Sequence, residues 1–216
     1  MYERSCFLCR LGWMAEAAES IAVAERDTRK GAVTRATILA RALDLASVDG
    51  LGGLTIGRLA ADLDMSKSGV FAHFGSKQDL QLATVGAAAE RFRTAVIEPA
   101  LSAPDGTPRL RAMADAYLAH LESEDYSGGC FWAATSAEYD DRPGPVREAI
   151  AAALESWLGE LERQAWIAGS PDPGRFSFEL YAVVMGANSR YRLSGDRKVF
   201  AYARATIARL LGELPS

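Results

Sequence analysis

Three groups of residues in this chain have types and spacings that could do chemistry. The first is Thr55, Ser66, Lys67, Ser68, Gly69, Phe71, His73 and Lys77, gathered in one short stretch. It offers hydroxyls, two ammonium groups, an imidazole and a glycine that lets backbone come close to a neighbour. Such a set suits phosphate oxygens and base edges. The second is Gly128-Gly129-Cys130-Phe131-Trp132, with Glu138 downstream. A thiol there could attack, and a carboxyl could supply a proton. The third is the Cys6/Cys9 pair, spaced as a CxxC. A zinc site needs two further ligands, and only His73, His120 and Cys130 remain to offer. The reading for the pair is a tail with incidental cysteines, and no metal is expected.

The first group must be positioned by short helices. Ile38, Leu39, Ala42, Leu43 and Ala46 fall on one helical face, with Thr34 as its expected N-cap. Asp49-Gly50 and Gly52-Gly53 end that helix. Thr55 caps a second helix carrying Ile56, Leu59, Ala60 and Leu63. Asp64 breaks it, and Ser66 caps a third carrying Val70, Phe71 and Phe74. The core of Leu59, Ala60, Leu63, Val70 and Phe74 would fix the angle between the two helices. Ser66, Lys67, Ser68, Gly69 and His73 would then face outward. This is a helix-turn-helix pattern, with Thr55 and its free N–H groups placed to meet a phosphate.

The remainder is helical as well, over about 77–98, 108–123, 129–139, 144–168, 174–193 and 196–212, with breaks at Pro- and Gly-rich stretches. No alternating strand pattern or internal repeat occurs. An all-α fold follows, in three parts: an N-terminal extension over 1–30, a helix-turn-helix domain over 31–80 and a helical body over 81–216. The extension is expected to be flexible, and Met14 offers an alternative translation start.

Composition narrows the function. Hydrophobic residues make up 49% and charged residues 24%, enough apolar surface for a core. No uncharged apolar run is long enough to span a membrane. Three cysteines suit a reducing cytoplasm. The net charge of −4 excludes a chain that coats nucleic acid along its whole length. Yet residues 26–80 hold 8 Lys/Arg against 6 Asp/Glu, so a slightly basic segment is attached to an acidic remainder, as expected if only one part meets phosphate. No phosphate- or dinucleotide-binding glycine pattern appears, and no cofactor is expected.

The stretch LTIGRLAADLDMSKSGVFAHFGSKQDL, residues 54–80, resembles the DNA-binding domain of the TetR family of bacterial transcriptional regulators. The agreement is densest at HFGSKQDL, with His73, Phe74, Lys77 and Leu80 in place. Two departures stand out. Asp64 occupies the turn where many members have Gly, a position Asp tolerates better than most residues. Phe71 stands where many have Tyr, and so lacks a hydroxyl for phosphate.

The resemblance implies a non-enzymatic, homodimeric repressor that binds a palindromic DNA operator and is released by a small effector. Its recognition helices, residues 66–73, would enter successive major grooves about 34–36 Å apart. Ser66, Ser68 and Gly69 would lie nearest the bases, while Lys67 and Lys77 supply salt-dependent phosphate affinity. Effector binding would shift the helix near 77–98. The candidates to line a mostly apolar effector site are Met113, Tyr117, Phe131, Trp132, Trp157, Tyr181, Met185 and Asn188, with Glu138 and Arg190 as polar contacts or solvent-facing groups. The apolar last two helices would pack on their symmetry mates.

An alternative class comes from Gly128-Gly129-Cys130-Phe131-Trp132, which is similar to the GCFW motif of peptide methionine sulfoxide reductases. Glu138 lies further on than that motif favours, and neither the α/β context nor a resolving cysteine is present. The competing reading has Cys130, Phe131 and Trp132 packing inward at the start of a helix.

Overall fold

The computed structural model describes residues 29–123 and 125–215. The extension, with Cys6, Cys9 and Met14, lies outside the described residues. Among these there are nine helices and no strand. Helix α1 is Arg29–Asp49, α2 Ile56–Asp62 and α3 Lys67–Phe74. Helix α4 begins as Lys77–Phe92, widens into a π-helical turn at Arg93–Ile97 and ends at Glu98–Ala100. Then come α5 Thr107–Glu122, α6 Phe131–Tyr139, α7 Pro145–Ile167, α8 Pro173–Ser194 and α9 Lys198–Gly212. Thr34 is not an N-cap but lies in the second turn of α1. Arg29, Lys30 and Ala32 are good helix formers, so the helix runs past it toward the N-terminus. The π turn comes just before Pro99, which has no N–H to give the ladder.

The chain divides into two compact units. One takes the described residues up to Glu90 together with Tyr126–Ala153; the other takes Arg91–Asp125 and Leu154 onward. Helices α4 and α7 have residues in both. The first unit therefore draws α6 and the start of α7 to α1–α4, well beyond residue 80 in sequence.

In the first unit, Ile38, Ala42 and Ala46 of α1 are fully buried, as their spacing predicts. They share a core with Leu59 of α2, Val70 and Phe74 of α3, Leu80 of α4 and Phe131 of α6. Truncating a buried leucine of this kind to alanine costs about 2–5 kcal/mol. Residues Tyr126–Cys130 lie against α1. Asp44 accepts from the Ser127 N–H at 2.9 Å, and Ser47 Oγ accepts from the Gly128 N–H at 2.9 Å. That approach needs glycine at 128: a Cβ there would sit 1.9 Å from the Ser47 carbonyl oxygen. The Ser127 N–H, foremost, also holds the Asp44 carboxyl below the usual carboxylate range.

In the second unit, α8 packs on α9 and both pack on α5. Asp172 caps α8 by accepting from the Arg175 N–H at 3.1 Å. Glu122 at the end of α5 is paired with Arg204 of α9. A buried polar cluster fixes the start of α5: Gln164 accepts from the Gly106 N–H at 2.6 Å and donates to Asp105 at 2.8 Å and to Glu160 at 2.9 Å.

Candidate nucleic-acid interface

The local chemistry of residues 55–77 builds two helices locked at a fixed angle. Thr55 Oγ1 accepts from the Arg58 N–H at 3.1 Å and Ser66 Oγ from the Gly69 N–H at 3.0 Å, so both predicted caps are made. Between the helices, Asp64 takes φ 52°, the one non-glycine in the left-handed region among the described residues. Its N–H reaches the Ala61 carbonyl at 3.4 Å, and the Met65 N–H reaches that of Ala60 at 2.8 Å. This is a Schellman closure with aspartate where glycine is usual.

The rest of the first unit clamps this pair. Arg35 of α1 donates to the His73 carbonyl at 2.6 Å and lies 4.5 Å over the Phe74 ring. Arg41 joins Asp62, at the end of α2, to Asp44. The turn before α2 is held from the other side. The Glu138 carboxylate accepts from the Leu51 N–H at 2.7 Å and the Gly52 N–H at 2.8 Å. Gln81 donates to the Leu51 carbonyl at 2.8 Å and Lys77 to that of Gly52 at 2.6 Å.

The predicted residues divide within this frame. Ser66, Lys67, Ser68, Phe71 and Lys77 are exposed, Gly69 and His73 half-buried, and Thr55 exposed at the head of α2. Lys67 lies along α2, its Cε 3.3 Å from where a Gly57 Cβ would be. The Ser68 hydroxyl is 3.1 Å from that of Ser66. Lys77 binds the turn as well as facing solvent. Phe71 is the large side chain that the outer face of α3 presents.

A family description, "Bacterial regulatory proteins, tetR family", matches residues 38–84. A second, "Tetracyclin repressor-like, C-terminal domain", matches residues 106–207. The chain belongs to the TetR family of transcriptional regulators. Its fold is that of a regulator with a DNA-binding helix-turn-helix and a ligand-binding C-terminal domain. It is similar to a TetR transcriptional regulator from Chloroflexus aurantiacus: TM-score 0.79, 25% identity, over 87% of this chain and 98% of that one. A TetR-family regulator from Streptomyces coelicolor matches at TM-score 0.75 and 23% identity, over 85% and 97%. AibR, solved with isovaleryl coenzyme A and operator DNA, matches at 0.68 and 20%, over 82% and 98%. No curated protein matches the sequence.

In this TetR-family chain the expected effector-site residues fall in different places. Phe131 belongs to the core of the first unit and half-buried Trp132 packs against it, the two rings edge to face at 5.3 Å. Met113, Tyr117 and Trp157 are buried in the second unit, as is Asn188 of α8, while Tyr181 and Met185 are half-buried on that helix. The structure brings Tyr117 and Trp157 together. Their ring centroids are 5.7 Å apart, with Phe92 at 4.9 Å from Tyr117 and 5.1 Å from Trp157, all edge to face. Phe92 was not among the expected residues; its place on the α4 apolar face was the available signal. The Trp157 indole N–H is buried with no hydrogen-bond partner. Nearby in α5, burial foremost pushes the His120 imidazole below its ordinary pKa, against the pull of Asp125 at 3.4 Å.

Glu138 neither faces solvent nor is placed as a free acid: it is held by two backbone N–H groups and Arg142 at 2.8 Å. Cys130 and Phe131 pack inward at the start of α6. Arg190 is exposed. Among the described residues, no three His, Cys, Asp or Glu side chains gather as metal ligands would, and no helix is long and apolar enough to cross a membrane.

Proposed function

We propose that the chain is a homodimeric, ligand-responsive repressor that binds a two-fold DNA operator through α3. The observation that carries the reading is the division of α3: Val70 and Phe74 are buried in a clamped core, while Lys67, Ser68, Phe71 and Ala72 are exposed on the other face. A helix fixed from behind and open in front suits the major groove. Lys67 and Lys77 supply phosphate affinity, and Thr55 and Ser66 bring helix N-termini to the backbone.

Dimerisation rests on the outer faces of α8 and α9. Most of the large apolar residues of these helices, including Phe176, Leu180, Val184, Ile207, Leu210 and Leu211, are buried within the protomer. Exposed there are Phe178, Ala182, Gly186, Ser189 and Leu193 on α8 and Ala201, Tyr202, Ala205 and Ala208 on α9, together with the basic Arg175, Arg190, Arg192, Lys198 and Arg209. Small residues flanked by exposed Phe178, Leu193 and Tyr202 suit close packing against a second copy.

The effector reading rests on the Phe92–Tyr117–Trp157 cluster. Its apolar rings and one unpaired indole donor suit a mostly apolar molecule carrying a hydrogen-bond acceptor. Helices α4 and α7, with residues in both units, would carry the change toward α3. An effector shifts the balance only by its difference in affinity for the two states. AibR, bound to an acyl-coenzyme A and operator DNA, offers a precedent for the two-site arrangement.

The test is fluorescence anisotropy of the purified protein on DNA from upstream of its own gene, with random DNA as competitor, across a salt series. Tight, competitor-resistant binding by two protomers per site is expected. Weak binding, equal on both DNAs and lost with salt, at every upstream fragment tested would refute the reading.

A further inference from the structure

We infer that Phe71 reads the C5-methyl group of thymine, so that each half of the operator carries a thymine opposite it. The inference rests on the DNA-binding reading and adds the base that α3 selects. Phe71 is 51% exposed, an unusual place for a phenyl ring on a helix whose neighbours Val70 and Phe74 are buried. A surface ring without a hydroxyl has nothing to offer a phosphate oxygen. In the major groove, thymine alone presents an apolar group, its methyl.

Among the exposed side chains of that face, Phe71 presents the largest apolar surface. Lys67, one turn earlier, lies back along α2 at Gly57. Ser68 has its hydroxyl beside that of Ser66 at the N-cap. Ala72 is exposed and carries only a methyl. The backbone that carries the ring is fixed, because the Gly75 N–H closes on the Phe71 carbonyl at 2.8 Å and Arg35 grips the His73 carbonyl at 2.6 Å. An apolar group carried on a fixed helix and facing a polar groove discriminates by apolar contact rather than by hydrogen bonding.

The experiment uses the full chain. A preferred site is selected from random-sequence duplexes. Each thymine of that site is then replaced by deoxyuridine, which removes only the methyl group, and affinities are read by anisotropy at fixed salt. One thymine per half-site should weaken binding about fourfold on replacement, and about fifteenfold when both half-sites are changed. Phe71→Ala should bind the thymine and deoxyuridine sites equally. Phe71→Leu, still apolar, should keep about a twofold difference. Because Phe71 is exposed, both variants should melt within about 2 °C of the wild type. A selected site indifferent to deoxyuridine throughout, or a difference that persists in Phe71→Ala, overturns the assignment to Phe71 and leaves the DNA-binding reading standing. Failure to enrich any site overturns both.

Discussion

Glu138 should be worth more to the DNA-binding unit than a surface carboxylate 87 residues from its partners would suggest. Its two oxygens accept from the Leu51 and Gly52 N–H groups at 2.7 and 2.8 Å, and its side chain is only 16% exposed. A hydrogen bond to a charged group contributes about 1.5–3 kcal/mol, and an orphaned, partly buried N–H costs in addition. Allowing for water reaching the vacated turn, Glu138→Ala should destabilise by about 2–4 kcal/mol, or lower the melting temperature by about 5–15 °C. Glu138→Gln keeps one acceptor but turns an NH2 group toward an N–H, so about half that loss is expected. Gly50 supplies the cross-check. A Cβ at Gly50 would sit 2.2 Å from Glu138 Oε2, in a residue at φ 73°. Gly50→Ala alone must displace the carboxylate and strain the backbone, whereas in the Glu138→Ala background only the strain remains. The two changes should therefore be strongly non-additive. Urea unfolding of the four proteins, followed by circular dichroism, measures this. A Glu138→Ala loss below about 0.5 kcal/mol, or simple additivity, would refute the reasoning.

Three further outcomes are expected. Asp64→Gly should stabilise by about 0.5–1 kcal/mol, since φ 52° suits glycine, and Asp64→Val should destabilise by at least as much; thermal melts decide. His120 has its folded pKa lowered by burial, so the unfolded chain takes up its proton first as pH falls. Its stability contribution is full above the ordinary histidine pKa near 6.5 and is lost on going below it. Unfolding midpoints should fall between about pH 7 and 5.5 in the wild type and stay flatter in His120→Gln. Lys77→Ala should weaken binding to all DNA and reduce the salt slope by about one phosphate contact, while Ser68 substitutions change sequence preference. An unchanged slope with lowered stability would assign Lys77 wholly to its Gly52 carbonyl bond.

Local rules carried the helices well. Thr55 and Ser66 as caps, Asp64 as the turn and Ile38, Ala42 and Ala46 as a buried face all depend on neighbours within a few residues, and each is as its spacing implies. Thr34 failed because a good capping residue is also tolerated inside a helix whose preceding residues favour it. The π turn at Arg93–Ile97 was invisible to a pattern that registers only period and breaks. Arg35, Arg41 and Gln81 give no such signal, since a charged or amide side chain on a helix surface is ordinarily solvated and its partner here lies on another helix or in the turn before α2.

The expected effector site shows the same limit in another form. Aromatic and methionine residues in the helical body look alike in sequence whether they line a site or fill a core. The fold separates them by where the chain returns: Tyr126–Ala153 joins the first unit, taking Phe131 into its core and Trp132 against it. Glu138 travels with that segment, and this is why its partners are Leu51 and Gly52 rather than a ligand. Gly50, Gly52 and Gly128 read as loop punctuation in sequence. In the structure a side chain at any of the three would strike Glu138 or the Ser47 backbone. Those glycines record close approach between distant parts of the chain. The helix-turn-helix is thus built partly from residues far outside its own sequence pattern, and changes at Glu138 or Gly128 should reach DNA binding without touching the DNA.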